Sequence, residues 1–182
     1  MKKQVLTTVQ MAMFTALSIV LLYAVRFPLI PAAPFLEYDM ADVPILLSAL
    51  LLGPLPGLAV LLAACLIQAL TVSAASGWIG FLMHFIASAA LILIASLIFR
   101  KSKGSLKMLA LGLVLGSLAM TVVMIPLNLV FTGIFMGTGV KAVASMLIPA
   151  IIPFNLLKAG INSAIAFVLF VPLKKAFEKL SK

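Results

Sequence analysis

The sequence predicts an all-α membrane protein, a compact bundle of six transmembrane helices with both termini cytoplasmic, and three observations carry the prediction. The 182-residue chain is 65% hydrophobic and only 9% charged, where soluble domains carry about 25% charged residues. Its mean hydropathy is +1.33, and apolar runs recur along its whole length. Its basic residues cluster between those runs, in the places where positively charged cytoplasmic loops set membrane orientation.

A spanning helix needs roughly 20 apolar residues at about 1.5 Å rise each. The first run, 5–25, qualifies, and no small-residue cleavage pattern follows it, so it is read as a mature helix rather than a signal peptide. The segment 43–72 is too long for one straight span and is broken by "GPLPG" at 53–57, where two prolines flanked by glycines make a turn. It is therefore divided into a short helix at 40–52 and another at 57–72. Runs at 78–99, 106–131 and 147–173 complete six helices in one membrane domain, 1–182.

Charge supports the even count. With six crossings, ten of the thirteen Lys and Arg lie on the cytoplasmic side: Lys2 and Lys3, the loop "RKSKGSLK", and the tail lysines 174, 175, 179 and 182. Only Arg26 and Lys141 remain in outer loops, with Lys158 in the membrane. The net charge of +9 thus reflects orientation, and no nucleic-acid partner is expected. Backbone groups in lipid must be paired internally, which requires a helical bundle. The small-residue pairs Ala12/Ala16 and Gly112/Gly116 allow close helix approach.

The acidic residues ask for a separate explanation. Three of the four, Glu37, Asp39 and Asp42, fall in "PFLEYDMADVP". This stretch belongs to an outer connection, 26–42, stiffened by Pro28, Pro31 and Pro34 and carrying Phe27, Phe35 and Tyr38. Loops of this length are commonly functional, and an apolar underside suits a lid closing over a pocket. In the last helix, "PFNLLKAGINSAIAF" sets Asn155 and Lys158 one turn apart on one face, with Asn162 a turn further. An ionisable residue within a span is a functional candidate, with snorkelling to the interface as the alternative for Lys158. Asn128 adds a polar group near the outer end of the preceding helix. Amide and ammonium groups can read a planar heterocycle through its carbonyls and ring nitrogens while apolar side chains cover its faces.

Other chemistry finds little support. His84 is the only histidine, without a Cys or acidic partner at metal-ligand spacing, and is expected to be a hydrogen-bonded packing residue. Cys65 reads as a small buried hydrophobe, and the ten methionines as gap fillers. Neither a phosphate loop, nor paired intramembrane carboxylates, nor a nucleophile motif is present, so no catalytic residue, metal or cofactor is expected.

With "MAMFTA" in the first helix, the lid stretch "PFLEYDMADVPILL", the "LGPLPG" turn and "PFNLLKAGINSAIAF" in the last helix, the chain resembles the substrate-binding S components of energy-coupling-factor (ECF) vitamin transporters over nearly its whole length. It is most similar to the riboflavin-binding type. The resemblance implies capture of one vitamin molecule from outside and association with a transmembrane coupling subunit, EcfT, and two ATPase subunits that use the ATP. It implies that Asn155 and Lys158 bond the polar edge of the flavin, with Asn128 assisting. Phe35, Leu36, Glu37, Tyr38 and Asp39 would belong to the cap, with some acids meeting the ribityl hydroxyls or capping the second helix. Ala12 and Ala16 would form the flat face that docks on the coupling subunit. Flavin mononucleotide would call for a basic residue at the outer mouth, for which Arg26 and Lys141 are the candidates. The residues leave open another vitamin (pantothenate, folate or a thiamine-like heterocycle), an autonomous small carrier or channel, and a purely structural membrane subunit.

Overall fold

In the computed structural model, residues 2–31 and 33–180 are described; Lys182 of the basic tail lies outside them. The chain runs through α1 (Lys2–Ala24), a hairpin of β1 (Arg26–Pro28) and β2 (Glu37–Asp39), then α2 (Asp42–Leu51), α3 (Pro54–Leu70) and α4 (Gly77–Lys101). α5 (Leu106–Leu127) continues through a π-helical turn at Asn128–Thr132 into α6 (Gly133–Met136). α7 (Val140–Met146) leads through a second π-helical turn, Leu147–Ile151, into α8 (Ile152–Leu180). The described residues thus form six helical rods, four of which, including Leu106–Met136 and Val140–Lys179, are long and apolar enough to cross a membrane.

The two exceptions are α2 and α3, and the "GPLPG" break explains both. Gly53 adopts φ +124°, a backbone that L side chains rarely take. Pro54 then occupies the first helical turn, where its missing N–H costs no hydrogen bond. Helix α3 therefore starts at Pro54 rather than at 57. Arg100, at the end of α4, donates to the Leu52 carbonyl at 3.2 Å and closes this turn.

Helix α2 is roughly 15 Å long at the standard rise, about half the hydrocarbon thickness. It compensates by position: every residue from Asp42 to Leu50 is buried, with α1, α3, α4 and α8 packed around it. The main core joins Phe14, Ile45, Leu46, Leu61, Leu91, Ile92, Leu109 and Phe170. Cys65 belongs to the same core.

Small residues set the closest approaches. A Cβ on Gly116 would meet the Leu91 carbonyl oxygen at 2.8 Å, and one on Gly112 the Ala95 carbonyl oxygen at 3.1 Å. These glycines bring α4 and α5 together backbone to backbone. At Gly57 a Cβ would lie 2.4 Å from Ala49 Cβ, so α2 and α3 fold against each other only because that position is bare. Gly57→Ala is expected to lower the thermal unfolding midpoint measured in detergent, with overpacking of about 1–3 kcal/mol. Gly160→Ala, where nothing lies within 4 Å of the added carbon, serves as the control and should leave the midpoint unlowered.

The connection expected to be a loop at 26–42 contains the antiparallel hairpin, with Arg26 opposite Asp39, Phe27 opposite Tyr38 and Pro28 opposite Glu37. It folds down onto the bundle through a second apolar cluster, in which Ala33, Leu36 and Tyr38 pack with Val143, Ile151 and Phe154. Both π-helical turns sit at prolines: Pro126 lies just before the first and Pro149 inside the second. A proline removes an amide donor from the helical ladder, and a widened turn is one way the ladder is re-formed.

Candidate ligand-binding site

A cavity of about 400 Å³ opens beneath the hairpin, within the ~300–1,000 Å³ range of small-molecule sites. Its walls come from the hairpin, α3, α4, α5, the first π-helical turn and α8. Phe35, Leu36, Met83, Met120, Met124, Phe135 and Phe154 supply apolar and aromatic surface. Arg26, Glu37, Asp39, Gln68, His84, Asn128, Asn155 and Lys158 supply the polar groups.

Strand alternation decides which hairpin side chains face this space. Arg26, Glu37 and Asp39 line the cavity, while Phe27 and Tyr38 lie on the other face, their rings 5.3 Å apart. Tyr38 was grouped with the residues expected over the ligand; it is instead 3% exposed and donates its hydroxyl to Asn162 Oδ1 at 2.8 Å. Burial, reinforced by the neighbouring Asp39 carboxylate, raises the Tyr38 phenol above its ordinary value, so it remains a neutral donor. Asn162 also donates from Nδ2 to the Asp39 carbonyl at 3.1 Å. Asn162 therefore anchors the hairpin rather than extending the cavity wall.

Lys158 does not snorkel. It is 8% exposed, and its Nζ donates to Asp39 Oδ2 at 2.6 Å. The other Asp39 oxygen, Oδ1, accepts the Ala41 N–H at 3.1 Å, an Asx-type turn that leads into α2. Asp39 thus bonds the N-cap residue of α2, and Ala41 itself makes no side-chain cap bond. A buried ion pair is costly to form but strongly destabilising to break on one side; here every polar atom of Asp39 that faces inward has a partner.

Asp42 has a different task. Its Oδ1 accepts from Ser88 Oγ at 2.8 Å and from His84 Nε2 at 3.1 Å, and His84 Nδ1 lies 2.8 Å from the Gln68 amide oxygen. This network ties α2, α3 and α4 together beside the cavity, which Gln68 and His84 line. Sequence spacing missed it because the acid partner of His84 is 42 residues away. One signal was available: Gln68 is the lone amide in the apolar run of α3. Among the described residues no group of three or more His, Cys, Asp or Glu is placed to hold a metal ion.

The two asparagines of the wall are held in fixed orientations. Asn128, at the start of the first π-helical turn, donates to the Met124 carbonyl at 2.8 Å and accepts from Thr132 Oγ1 at 2.8 Å. Asn155 donates to the Ile151 carbonyl at 2.8 Å. Its Oδ1 is buried and has no hydrogen-bond partner. Buried polar atoms are normally satisfied; among the described residues Asn155 Oδ1 and Asp42 Oδ2 are the two buried side-chain atoms left without a partner, and of these residues Asn155 lines the cavity.

At the rim, Arg26 Nε donates to Glu37 Oε2 at 2.8 Å, and Nη2 forms the ion pair with the same oxygen. Arg26 Nη1 donates to the Val72 carbonyl at 2.9 Å, bridging the hairpin to the end of α3. Lys141 is exposed on α7 and does not line the cavity. Ala12 and Ala16 lie on the exposed side of α1 and do not line the cavity.

The family described as ECF transporter, substrate-specific component, matches residues 6–170. The riboflavin transporter RibU of Streptococcus thermophilus is 32% identical over 177 residues, covering 93% of this chain and 83% of the relative. The riboflavin transporter FmnP of Bacillus subtilis is 30% identical over 187 residues, covering 98% and 96%. A solved structure of the S component of a bacterial ECF transporter superposes with a TM-score of 0.82 at 29% identity, covering 96% of this chain and 98% of that one.

Proposed function

The chain belongs to the substrate-specific components of the ECF transporters, and from that premise we propose that it is the high-affinity riboflavin-binding subunit of such a transporter, holding the vitamin in the cavity beneath the hairpin. It is a multi-pass protein of the bacterial cell membrane. Its relatives at about 30% identity are riboflavin transporters.

The observation that carries the reading is the charge state of the cavity. Both of its Lys and Arg side chains already hold carboxylates, Lys158 with Asp39 and Arg26 with Glu37. A carboxylate-bearing vitamin such as pantothenate or folate would have to displace one of them; separating the buried Lys158–Asp39 pair is costly, and at the partly exposed Arg26 it would compete with the Glu37 carboxylate. A neutral, planar heterocycle meets no such obstacle. Asn155 Oδ1 offers an acceptor to a ring imide N–H, and the remaining N–H groups of Asn155, Asn128 and Lys158 offer donors to ring carbonyls. Phe35, Phe154 and the methionines supply faces on which the ring can lie. Glu37 and Asp39 line the cavity from the hairpin, and in this reading they meet the ribityl hydroxyls.

In the same reading all six rods cross or enter the bilayer, both termini are cytoplasmic, and the hairpin caps the cavity from outside. The positions of the basic residues support this orientation. Coupling to EcfT and two ATPase subunits supplies the energy, since the sequence carries no phosphate loop of its own. Helix α1 is the natural contact, being the least buried of the four long rods.

Titration of the detergent-purified apo protein with riboflavin tests the assignment. Stoichiometric quenching of flavin fluorescence, together with a yellow colour in preparations from riboflavin-fed cells, is the expected result. Unchanged fluorescence across the titration would overturn the riboflavin assignment and move it to another vitamin.

A further inference from the structure

The rim of the cavity holds a cation that the mechanism above does not use. We propose that Glu37 determines the charge specificity of the site: by holding Arg26 it makes the cavity discriminate against a phosphate monoester of the ligand that a free Arg26 would admit. The inference rests on the riboflavin reading and deepens it.

A phosphate monoester carries a charge of about −1.5 to −2 at neutral pH, and it stays hydrated unless a cation replaces its water. Among its Lys and Arg side chains the site offers it two cations. Lys158 is buried and bonded to Asp39, so a phosphate seeking it would meet a carboxylate in a poorly solvated place. Arg26 is the more accessible, its side chain 24% exposed, and the planar guanidinium fork is the side chain best matched to phosphate. Every nitrogen of that fork is engaged, however. Nε and Nη2 face Glu37, and Nη1 faces the Val72 carbonyl. Glu37 itself lines the cavity with its side chain 38% exposed, adding a like charge where a phosphate would sit. The hairpin register makes the arrangement local: Arg26 stands opposite Asp39, and Glu37 is its diagonal neighbour on the same face. Lys141, the other outer cation, lies outside the cavity wall and cannot compensate.

The test titrates riboflavin and flavin mononucleotide separately into detergent-purified protein and reads the quenching of flavin fluorescence. Wild type, Glu37→Gln and the double variant Glu37→Gln/Arg26→Gln are compared by the ratio of the two affinities, which removes any shared effect on flavin binding. The wild type is expected to prefer riboflavin by about tenfold or more, Glu37→Gln to narrow that preference by about tenfold, and the double variant to restore it. A wild type that binds the two flavins equally overturns the proposal without any variant, so the test survives a Glu37→Gln protein that fails to fold. An unchanged ratio in Glu37→Gln also overturns it, and a ratio that stays narrowed in the double variant overturns the part assigned to Arg26. A wild type that binds neither flavin instead overturns the riboflavin reading itself.

Discussion

Lys158→Ala is expected to weaken riboflavin binding by about 100-fold or more, while Lys103→Ala, at an exposed turn, leaves it within about twofold. Two effects act together. The ammonium is lost from the cavity wall, and Asp39 is left buried without its partner at 2.6 Å, a change that costs roughly 3–5 kcal/mol when one side of a buried pair is removed. Because Asp39 also holds the hairpin against α8 through Asn162, the lid loosens as well. The double variant Lys158→Met/Asp39→Asn separates these effects. It removes both charges, so the thermal midpoint should recover toward wild type while riboflavin affinity stays low. If affinity recovers with the midpoint, Lys158 acts only on the fold and its place in the ligand contact is wrong. Fluorescence titration and thermal unfolding in the same detergent give both readouts.

Ala12→Trp is expected to abolish riboflavin uptake in cells that contain the coupling subunit and ATPases, while purified protein keeps its riboflavin affinity within about threefold. Ala12 and Ala16 stand one turn apart on the exposed side of α1, and neither lines the cavity. A flat face of this kind lets another helix approach closely, and an indole there holds the partner away. Uptake that persists in Ala12→Trp would remove α1 from the docking surface. Loss of both uptake and binding would instead point to a damaged bundle, which the thermal midpoint would reveal.

Much of the candidate site could be read from residue types. Asn155 and Lys158 were conspicuous because polar side chains are expensive in a spanning helix, and both line the cavity. The acidic stretch was conspicuous because it holds three of four acids in a very apolar chain. What residue types could not give was the division of labour among those acids. Glu37, Tyr38 and Asp39 are adjacent in sequence, yet the strand period of two turns Tyr38 away from its neighbours. Three-residue strands are too short for their alternation to be recognised against a proline-rich background. His84 was read as a hydrogen-bonded packing residue, but its partners could not be named, because Asp42 and Gln68 are brought to it by two other helices, α2 and α3.

The sequence by itself determined that the chain forms helices in a membrane, where they are broken, and which side chains are out of place in lipid. Those properties follow from composition and from the local chemistry of proline and glycine, which act over a few residues. Tertiary structure decided the charges each group meets. Pairing Lys158 with Asp39, Arg26 with Glu37 and His84 with Asp42 requires contacts across 119, 11 and 42 residues. In a low-dielectric interior such pairing determines whether a cavity lined by cations and anions attracts a charged ligand or a neutral one.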